Sequence, residues 1–248
     1  MKSVVITGVS TGIGHGTTRV LLDKGFHVFG SVRKQADAER LSKTFGERFT
    51  PLLFDVTDEA AIADAAARVR EALQGETLFG LVNNAGIALS GPLLEVDTGD
   101  FRQQLEVNVV GPFLVTKAFG PLLGADRSLR GTPGRVVNIS SIAGVRALPF
   151  LGPYAASKFA LEGYSEALRR ELLLFGIDVI VIGPGAVKTA IWDKAEEVDL
   201  SRYAGSPYEP MLKAFQKAFI SQGLEGYPDE HLGQVVHTAL AATRPKVR

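Results

Sequence analysis

Short apolar runs alternate with longer amphipathic stretches along the whole chain, and the two periods predict alternating strands and helices. Val4 to Thr7, His27 to Val32, Thr50 to Phe54, Leu78 to Val82, Arg135 to Ile139 and Asp178 to Ile182 are short and rich in β-branched and aromatic residues, as strands buried on both faces are. Between them lie helical patterns. The first carries Val20, Leu21 and Leu22; Ala36 to Phe45 follows; then an alanine-rich stretch from Asp58 to Leu73, capped from Thr57 or Asp58. Further helices are predicted from about Thr98 to Phe119, from the Leu151-Gly152-Pro153 start to about Leu174, and from about Pro228 to Ala242. From 190 to 226 the pattern weakens, with Trp192, Tyr203, Tyr208, Met211, Leu212 and Phe215 spread through polar sequence. That stretch reads as an insertion with one helix near 208–221, a candidate substrate lid. Strand-helix alternation of this kind implies a doubly wound parallel α/β sheet with ligands at the carboxyl ends of the strands. No repeat beyond it and no linker divides the 248 residues, so one domain is expected.

Composition narrows the function classes. Acidic and basic residues number 27 each, which argues against a nucleic-acid or anionic-membrane partner found by bulk charge. With no cysteine there is no disulfide framework, thiol nucleophile or thiolate metal site, and the four histidines show no metal-ligand pattern. No apolar run approaches membrane-spanning length and the start enters a strand at once, so a soluble cytoplasmic protein is the expectation.

The candidate chemistry falls at strand ends. Gly8-Val-Ser-Thr-Gly12-Ile-Gly14 lies between a strand and a helix, where glycines let the backbone approach a pyrophosphate and the helix N-terminus aims N–H groups at it. A dinucleotide site chooses its cofactor about 20 residues further on, at the end of the second strand. There the chain reads Ser31-Val32-Arg33-Lys34-Gln35, without the acid that would hold a ribose 2′-hydroxyl. Arg33, helped by Ser10 or Thr11, suits a 2′-phosphate, so NADP is favoured over NAD. Asp55, ending the third strand, is placed for an adenine contact, and Asn83-Asn84-Ala85-Gly86 ends the fourth. Pro112 lacks the N–H that would bond the carbonyl of Asn108, which predicts a kink and a freed carbonyl able to hold a water.

Ser140-Ser141 ends the fifth strand, and Tyr154 and Lys158 follow on one helix face, four residues apart. A phenol of pKa about 10 is a poor acid-base catalyst at neutral pH. An ammonium ~4 Å away could favour the phenolate by up to ~4 kcal/mol at an effective dielectric of about 20, or ~3 pK units. After the sixth strand, Gly183-Pro184-Gly185-Ala-Val187-Lys188-Thr189 forms a turn whose threonine could bond a carboxamide.

Thr7-Gly-x-x-x-Gly12-Ile-Gly14, Asn83-Asn-Ala-Gly86, Asn108, Ser141, Tyr154-x-x-x-Lys158 and Pro184-Gly185, in this order and at these spacings, resemble the short-chain dehydrogenase/reductase family in its single-domain form. The resemblance spans nearly the whole chain and implies a Rossmann-type sheet of strand order 3-2-1-4-5-6. It makes Asn108, Ser141, Tyr154 and Lys158 the catalytic set. Ser141, thirteen residues before the tyrosine, would bond the substrate carbonyl. Tyr154 would donate or remove the proton, Lys158 would depress its pKa and hold the nicotinamide ribose, and Asn108 would fix the water linking Lys158 to solvent. The NADP contacts implied are Gly8, Ser10, Thr11, Gly12, Ile13, Gly14, Arg33, Asp55, Val56, Asn84, Ala85, Gly86, Tyr154, Lys158, Pro184, Gly185, Val187 and Thr189, with Val32 where NAD-preferring relatives carry an acid. The family's seventh strand normally follows a run like Pro245-Lys246-Val247-Arg248, where this chain stops.

The expected reaction is NADPH-dependent interconversion of a carbonyl and an alcohol. The Ser-Val-Arg-Lys turn and the Pro-Lys-x-Arg end resemble those of relatives acting on steroids, retinoids or similar apolar alcohols and ketones, and the expected pocket rim is apolar: Leu89, Val145, Leu148, Phe150, Leu151 and Trp192, with Tyr203 and Met211. Arg146 and Lys188 could anchor a charged end. Other readings are a 3-oxoacyl or sugar-type ketoreductase, a cofactor-bound regulator without turnover, and a sugar-nucleotide epimerase or dehydratase, which the glycine spacing disfavours. Association into dimers or tetramers through the Asn108 and Tyr154 helices is implied by the resemblance alone.

Overall fold

The computed structural model describes residues 1–189 and 200–248. Among them, six strands form one sheet: β1 (Ser3–Ile6), β2 (His27–Val32), β3 (Phe49–Leu53), β4 (Gly80–Asn83), β5 (Arg135–Ile139) and β6 (Asp178–Ile182). They lie in the order β3-β2-β1-β4-β5-β6, and every pairing is parallel. The order reverses between β1 and β4, and ligands of such sheets settle in the crevice beside that point.

Alternate residues of each strand feed two cores. Val4 and Ile6 of β1, with Val28, Val82, Val137, Ile139 and Ile180, face α1 (Gly12–Asp23), α2 (Gln35–Phe45) and the C-terminal helix through Leu21, Leu41, Leu232, Val236 and Leu240. Val5, Phe29, Leu52, Leu81, Val136 and Val179 face the other way. They pack on Ile62, Ala65 and Val69 of α3 (Glu59–Leu73) and on Val115 and Phe119 further along the chain. Asp58, rather than Thr57, caps α3 by accepting a hydrogen bond from the Ala61 N–H.

The predicted Thr98–Phe119 helix is divided. α4 (Thr98–Leu105) runs into a π-helical segment, Glu106–Val110, and then into α5 (Gly111–Phe119), which holds Pro112 in its first turn. The Gly111 N–H bonds the carbonyl of Glu106, five residues back. The proline that a kink was expected from thus follows a π-bulge, a feature that clusters at functional sites. α6 (Gly152–Leu172) carries Tyr154 and Lys158, α7 is Glu209–Leu224, and α8 (Asp229–Ala241) is the C-terminal helix. Two parts of the predicted 190–226 insertion are described, a 3₁₀ turn at Leu200–Tyr203 and α7.

No seventh strand is present among the described residues. The chain's last residues nevertheless run along the outer edge of β6, where the Val181 N–H donates to the Val247 carbonyl at 2.9 Å. Arg248 there pairs with Glu162 of α6 at 3.2 Å.

α1 and α8 cross almost backbone to backbone. A Cβ on Gly233 would lie 2.8 Å from Val20 Cγ2 and 2.9 Å from the Gly16 carbonyl. Arg135 Nη1 closes the far end of α8 by donating to the carbonyls of Ala239 and Leu240, at 3.0 and 2.8 Å. Gly233→Val should therefore force the two helices apart and lower stability by about 1–3 kcal/mol. Urea unfolding checks this; an unchanged midpoint at constant m-value would show that the crossing tolerates a larger residue.

Candidate active site

The glycine loop is held by the end of β4. Asn84 Nδ2 donates to the carbonyls of Thr7 and Gly8, at 2.9 and 3.0 Å, and Thr7 Oγ1 accepts from the N–H groups of Asn84 and Ala85, both at 2.9 Å. Gly14 fills this contact without a side chain, since a Cβ there would come within 2.3 Å of the Gly8 carbonyl oxygen. Gly12 opens α1 at φ +60°. Thr11, its N-cap, offers no side-chain hydrogen bond, so the first N–H groups of α1 keep their capacity for an anion. Thr189 packs on Gly12, 3.1 Å from where a Cβ would stand, which brings the Pro184–Thr189 turn onto the loop. That turn is fixed in its course: the Pro184 carbonyl accepts from the Ile142 N–H at 2.9 Å, and Val187, buried, forms a bridge to Tyr227. Ile13 is packed against the core beneath the loop, and Val56 is buried against Gly111.

Arg33 leaves the end of β2 with an exposed side chain and meets Asp55 at 3.7 Å. The other carboxylate oxygen of Asp55 accepts from the N–H and the hydroxyl of Thr57, at 3.0 and 2.9 Å. These residues, with Ile87, Arg102, Gln103, Glu106 and Val107, line a cavity of about 390 Å³. A second cation escaped the sequence reading: Arg40 Nη2 donates to the Ser10 carbonyl at 3.1 Å while pairing with Asp37 at 2.7 Å. Its helix places it there, and no motif marks it. His15 packs its ring on Phe45, 5.2 Å between centroids.

Tyr154, Ser141 and Lys158 do come together. Ser141 is buried, its hydroxyl accepts from the Ala143 N–H at 3.1 Å, and it lies near enough to Tyr154 to act on the phenol's pKa. Ser140 points elsewhere; its buried hydroxyl has no hydrogen-bond partner among the described residues. Lys158 is buried, donates to the Ile139 carbonyl at 2.8 Å and lies 5.7 Å from the centre of the Tyr154 ring. Burial takes the Lys158 pKa down to about 8, against the pull of Glu162, which raises it. The phenol differs from expectation. Burial raises the Tyr154 pKa, the nearby Ser141 hydroxyl opposes the rise, and the depression expected from Lys158 is not seen in the protein alone.

Asn108 is likewise more than a carrier of a free carbonyl. Its side-chain amide accepts from the Ile87 N–H at 2.9 Å and donates to the Ile87 carbonyl at 2.9 Å and to Ser157 Oγ at 3.0 Å. Sequence reasoning missed Asn138, which lies beside Asn83 in the sheet. Asn83 Nδ2 donates to Asn138 Oδ1 at 2.8 Å and to Thr116 Oγ1 at 3.0 Å, while Asn138 Nδ2 donates to Ser165 Oγ at 2.8 Å. An asparagine in the apolar run Val136 to Ile139 was the available signal.

The expected substrate rim is partly realised. Leu89 and Phe150 are half-buried, Val145 and Leu148 exposed, and Leu151 is buried at the start of α6, so it backs the rim rather than lining it. Trp192 lies outside the described residues. Tyr203 is buried, with its hydroxyl close to Gly91, and Met211 is exposed. Phe150 meets Phe215 and Tyr208 edge-on, at 5.6 and 6.4 Å, and so docks α7 over the segment 145–151. Arg146 and Lys188 are exposed. Among the described residues no group of histidines and carboxylates could hold a metal, and no helix is long and apolar enough to cross a membrane.

Comparisons with known proteins agree with this geometry. Residues 2–199 match the short chain dehydrogenase family. The NADPH-dependent 3-dehydrocapnine reductase of Ornithobacterium rhinotracheale is 40% identical over 248 residues, covering 100% of this chain and 87% of that one. Retinol dehydrogenase 5 of Homo sapiens is 34% identical across 99% of this chain and 79% of its own. A short-chain dehydrogenase from Streptomyces avermitilis superposes with a TM-score of 0.81 at 25% identity, covering 100% of this chain and 86% of that one. With the reversed strand order, the glycine loop and the Ser141–Tyr154–Lys158 cluster on one sheet edge, the chain belongs to the short-chain dehydrogenase family of oxidoreductases.

Proposed function

We propose that the protein is an NADPH-dependent reductase of an apolar ketone or aldehyde, working reversibly on the corresponding alcohol, with Tyr154 as general acid/base. The observation that carries this reading is the gathering of Ser141, Tyr154 and the buried Lys158 in one cluster, with the Lys158 ammonium 5.7 Å from the centre of the Tyr154 ring. The glycine loop, Asn84 to Gly86 and the Pro184–Thr189 turn would hold the cofactor, which would supply the hydride. Ser141 holds the substrate's carbonyl oxygen by a hydrogen bond. Tyr154 gives that oxygen its proton. A phenol whose pKa is raised by burial keeps its proton at neutral pH, which suits reduction. Lys158, with a pKa near 8, is largely charged at pH 7 and offers its ammonium to the ribose hydroxyls and the developing phenolate. Asn108 steadies the chain beside Tyr154 through Ser157, whose hydroxyl donates to the Tyr154 carbonyl at 2.7 Å.

NADPH is favoured because Arg33 stands exposed at the end of β2, paired only loosely with Asp55 at 3.7 Å, and Arg40 adds a second cation next to Ser10. The apolar rim around Leu89, Val145, Leu148 and Phe150 supports an apolar substrate, and the name of the 40% identical relative adds 3-dehydrocapnine to the candidates. We place the enzyme in the cytoplasm as a dimer or tetramer. Phe113 of α5 and Phe159 of α6 are both about half exposed, as residues of a contact between copies would be in one isolated chain.

A panel of ketones and aldehydes, including steroids, retinal and 3-dehydrocapnine, read by NADPH consumption with NADH in parallel, tests the reaction. Tyr154→Phe should bind NADPH as the wild type does and lose nearly all turnover; a variant that kept most of its activity would end the acid/base assignment. Arg33→Ala should weaken NADPH binding about tenfold or more and leave NADH unaffected. Equal losses for both cofactors would point away from the 2′-phosphate. Finally, kcat/KM for reduction should fall as pH rises through about 8, where Lys158 loses its charge while Tyr154 is still protonated. A profile flat to pH 9.5 would remove Lys158 from the titration.

A further inference from the structure

We propose that Gln104 is a positioning residue for the carbonyl substrate: it fixes the backbone of Leu89 in the wall of the substrate pocket, apart from the groups that hold the cofactor. The proposal rests on the reading of the site as a carbonyl reductase.

After β4 the chain runs from Gly86 to Gly91 with no neighbouring strand among the described residues. Its backbone groups still require partners, and two side chains supply them. Gln104, on α4, has 0% exposure. A buried primary amide needs both an acceptor and a donor, and here both are used. Gln104 Oε1 accepts from the Leu89 N–H at 2.7 Å, and Nε2 donates to the Ile87 carbonyl at 2.8 Å. Asn108, on the π-helical segment, takes the Ile87 N–H and also donates to the same carbonyl, both at 2.9 Å. The pair acts as a substitute strand for residues 87–89.

The two amides divide the work. Ile87 lines the cavity with Arg33 and Asp55, on the cofactor side, and is held by both. The Leu89 N–H, on the substrate side, is held by Gln104. Two residues on, the Gly91 N–H donates to the carbonyl of Phe150 at 2.8 Å, so the segment ends tied to the opposite wall of the pocket. Loss of the Gln104 amide leaves Ile87 with Asn108 and frees Leu89 between two remaining anchors. Substrate binding should suffer and cofactor binding should not.

Gln104→Met keeps the length and apolar bulk but removes the amide. With NADPH saturating, its KM for the carbonyl substrate should rise about tenfold, as loss of a buried bond that leaves a donor unpaired would give. kcat and the NADPH dissociation constant should stay near wild type. Amide exchange at Leu89 should accelerate by a similar factor. Gln104→Glu supplies a second, independent reading. Ionised, it can accept from Leu89 but faces the Ile87 carbonyl without a donor; protonated, it restores both bonds. Its KM should therefore fall toward the wild-type value as pH drops from 8 to 5.5, relative to wild type at each pH. If Gln104→Met does not fold, this ratio decides the matter. An unchanged KM in Gln104→Met, NADPH affinity lost in parallel with KM, or a pH-independent ratio for Gln104→Glu would each overturn the assignment. A wild type that reduced no carbonyl would instead bring down the reductase reading, and this assignment with it.

Discussion

A side-chain amide taken out of water must have both its oxygen and its nitrogen bonded, and the active edge of this sheet is built on that requirement. Asn83, Asn84, Gln104, Asn108 and Asn138 lie buried or half-buried along it. Each spends its hydrogen bonds on the backbone of a neighbouring segment or on another buried polar group. An apolar residue could pack at any of these places. It could not hold β4 to the glycine loop, or residues 87–89 to α4, because those segments present unpaired N–H and C=O groups that only a donor-acceptor side chain can satisfy. Asn83 Oδ1 is the exception, buried without a partner among the described residues.

That network explains how a site assembled from distant residues stays in register. The glycine loop follows β1, the amides follow β4, the serine follows β5 and the Tyr–Lys pair sits on α6. Parallel pairing brings the carboxyl ends of β1, β4 and β5 side by side, since Ile6 is opposite Val82 and Asn83 opposite Asn138. The π-helical segment then places Asn108 where it reaches both Ile87 and Ser157, linking the segment after β4 to the helix that carries Tyr154. Lys158 is held by the last carbonyl of β5, so its ammonium is fixed by the sheet as well as by its own helix.

The electrostatics of the site follow from burial more than from pairing. Both Tyr154 and Lys158 are shifted toward their neutral forms, the phenol upward and the ammonium downward, because each loses hydration. A lysine at i+4 does not by itself make a tyrosine acidic. Here the Lys158 ammonium donates to the Ile139 carbonyl, and loss of hydration is the largest influence on the phenol.

Much of this was legible in the chain. Strand and helix order followed from the two hydrophobic periods, because strands buried on both faces must be apolar at nearly every position. The glycine positions, the residues after β2, and the Ser141, Tyr154 and Lys158 spacings are local chemistry, and local chemistry is written in sequence. The Thr57-Asp58 pair and Gly12 likewise declare a helix start and a turn. What the sequence could not determine was which polar groups meet. Gln104 reads as an ordinary helical glutamine, Asn138 as a blemish in a strand, and Arg40 as one charge among many. Their partners lie 15, 27 and 30 residues away and come into reach only when the chain closes on itself. The course of Val247 along β6 and the direction of the Lys158 ammonium were decided in the same way. Hydrophobic pattern sets which face of each element is buried; the pairing of polar atoms depends on distances across the fold, and those exist only in three dimensions.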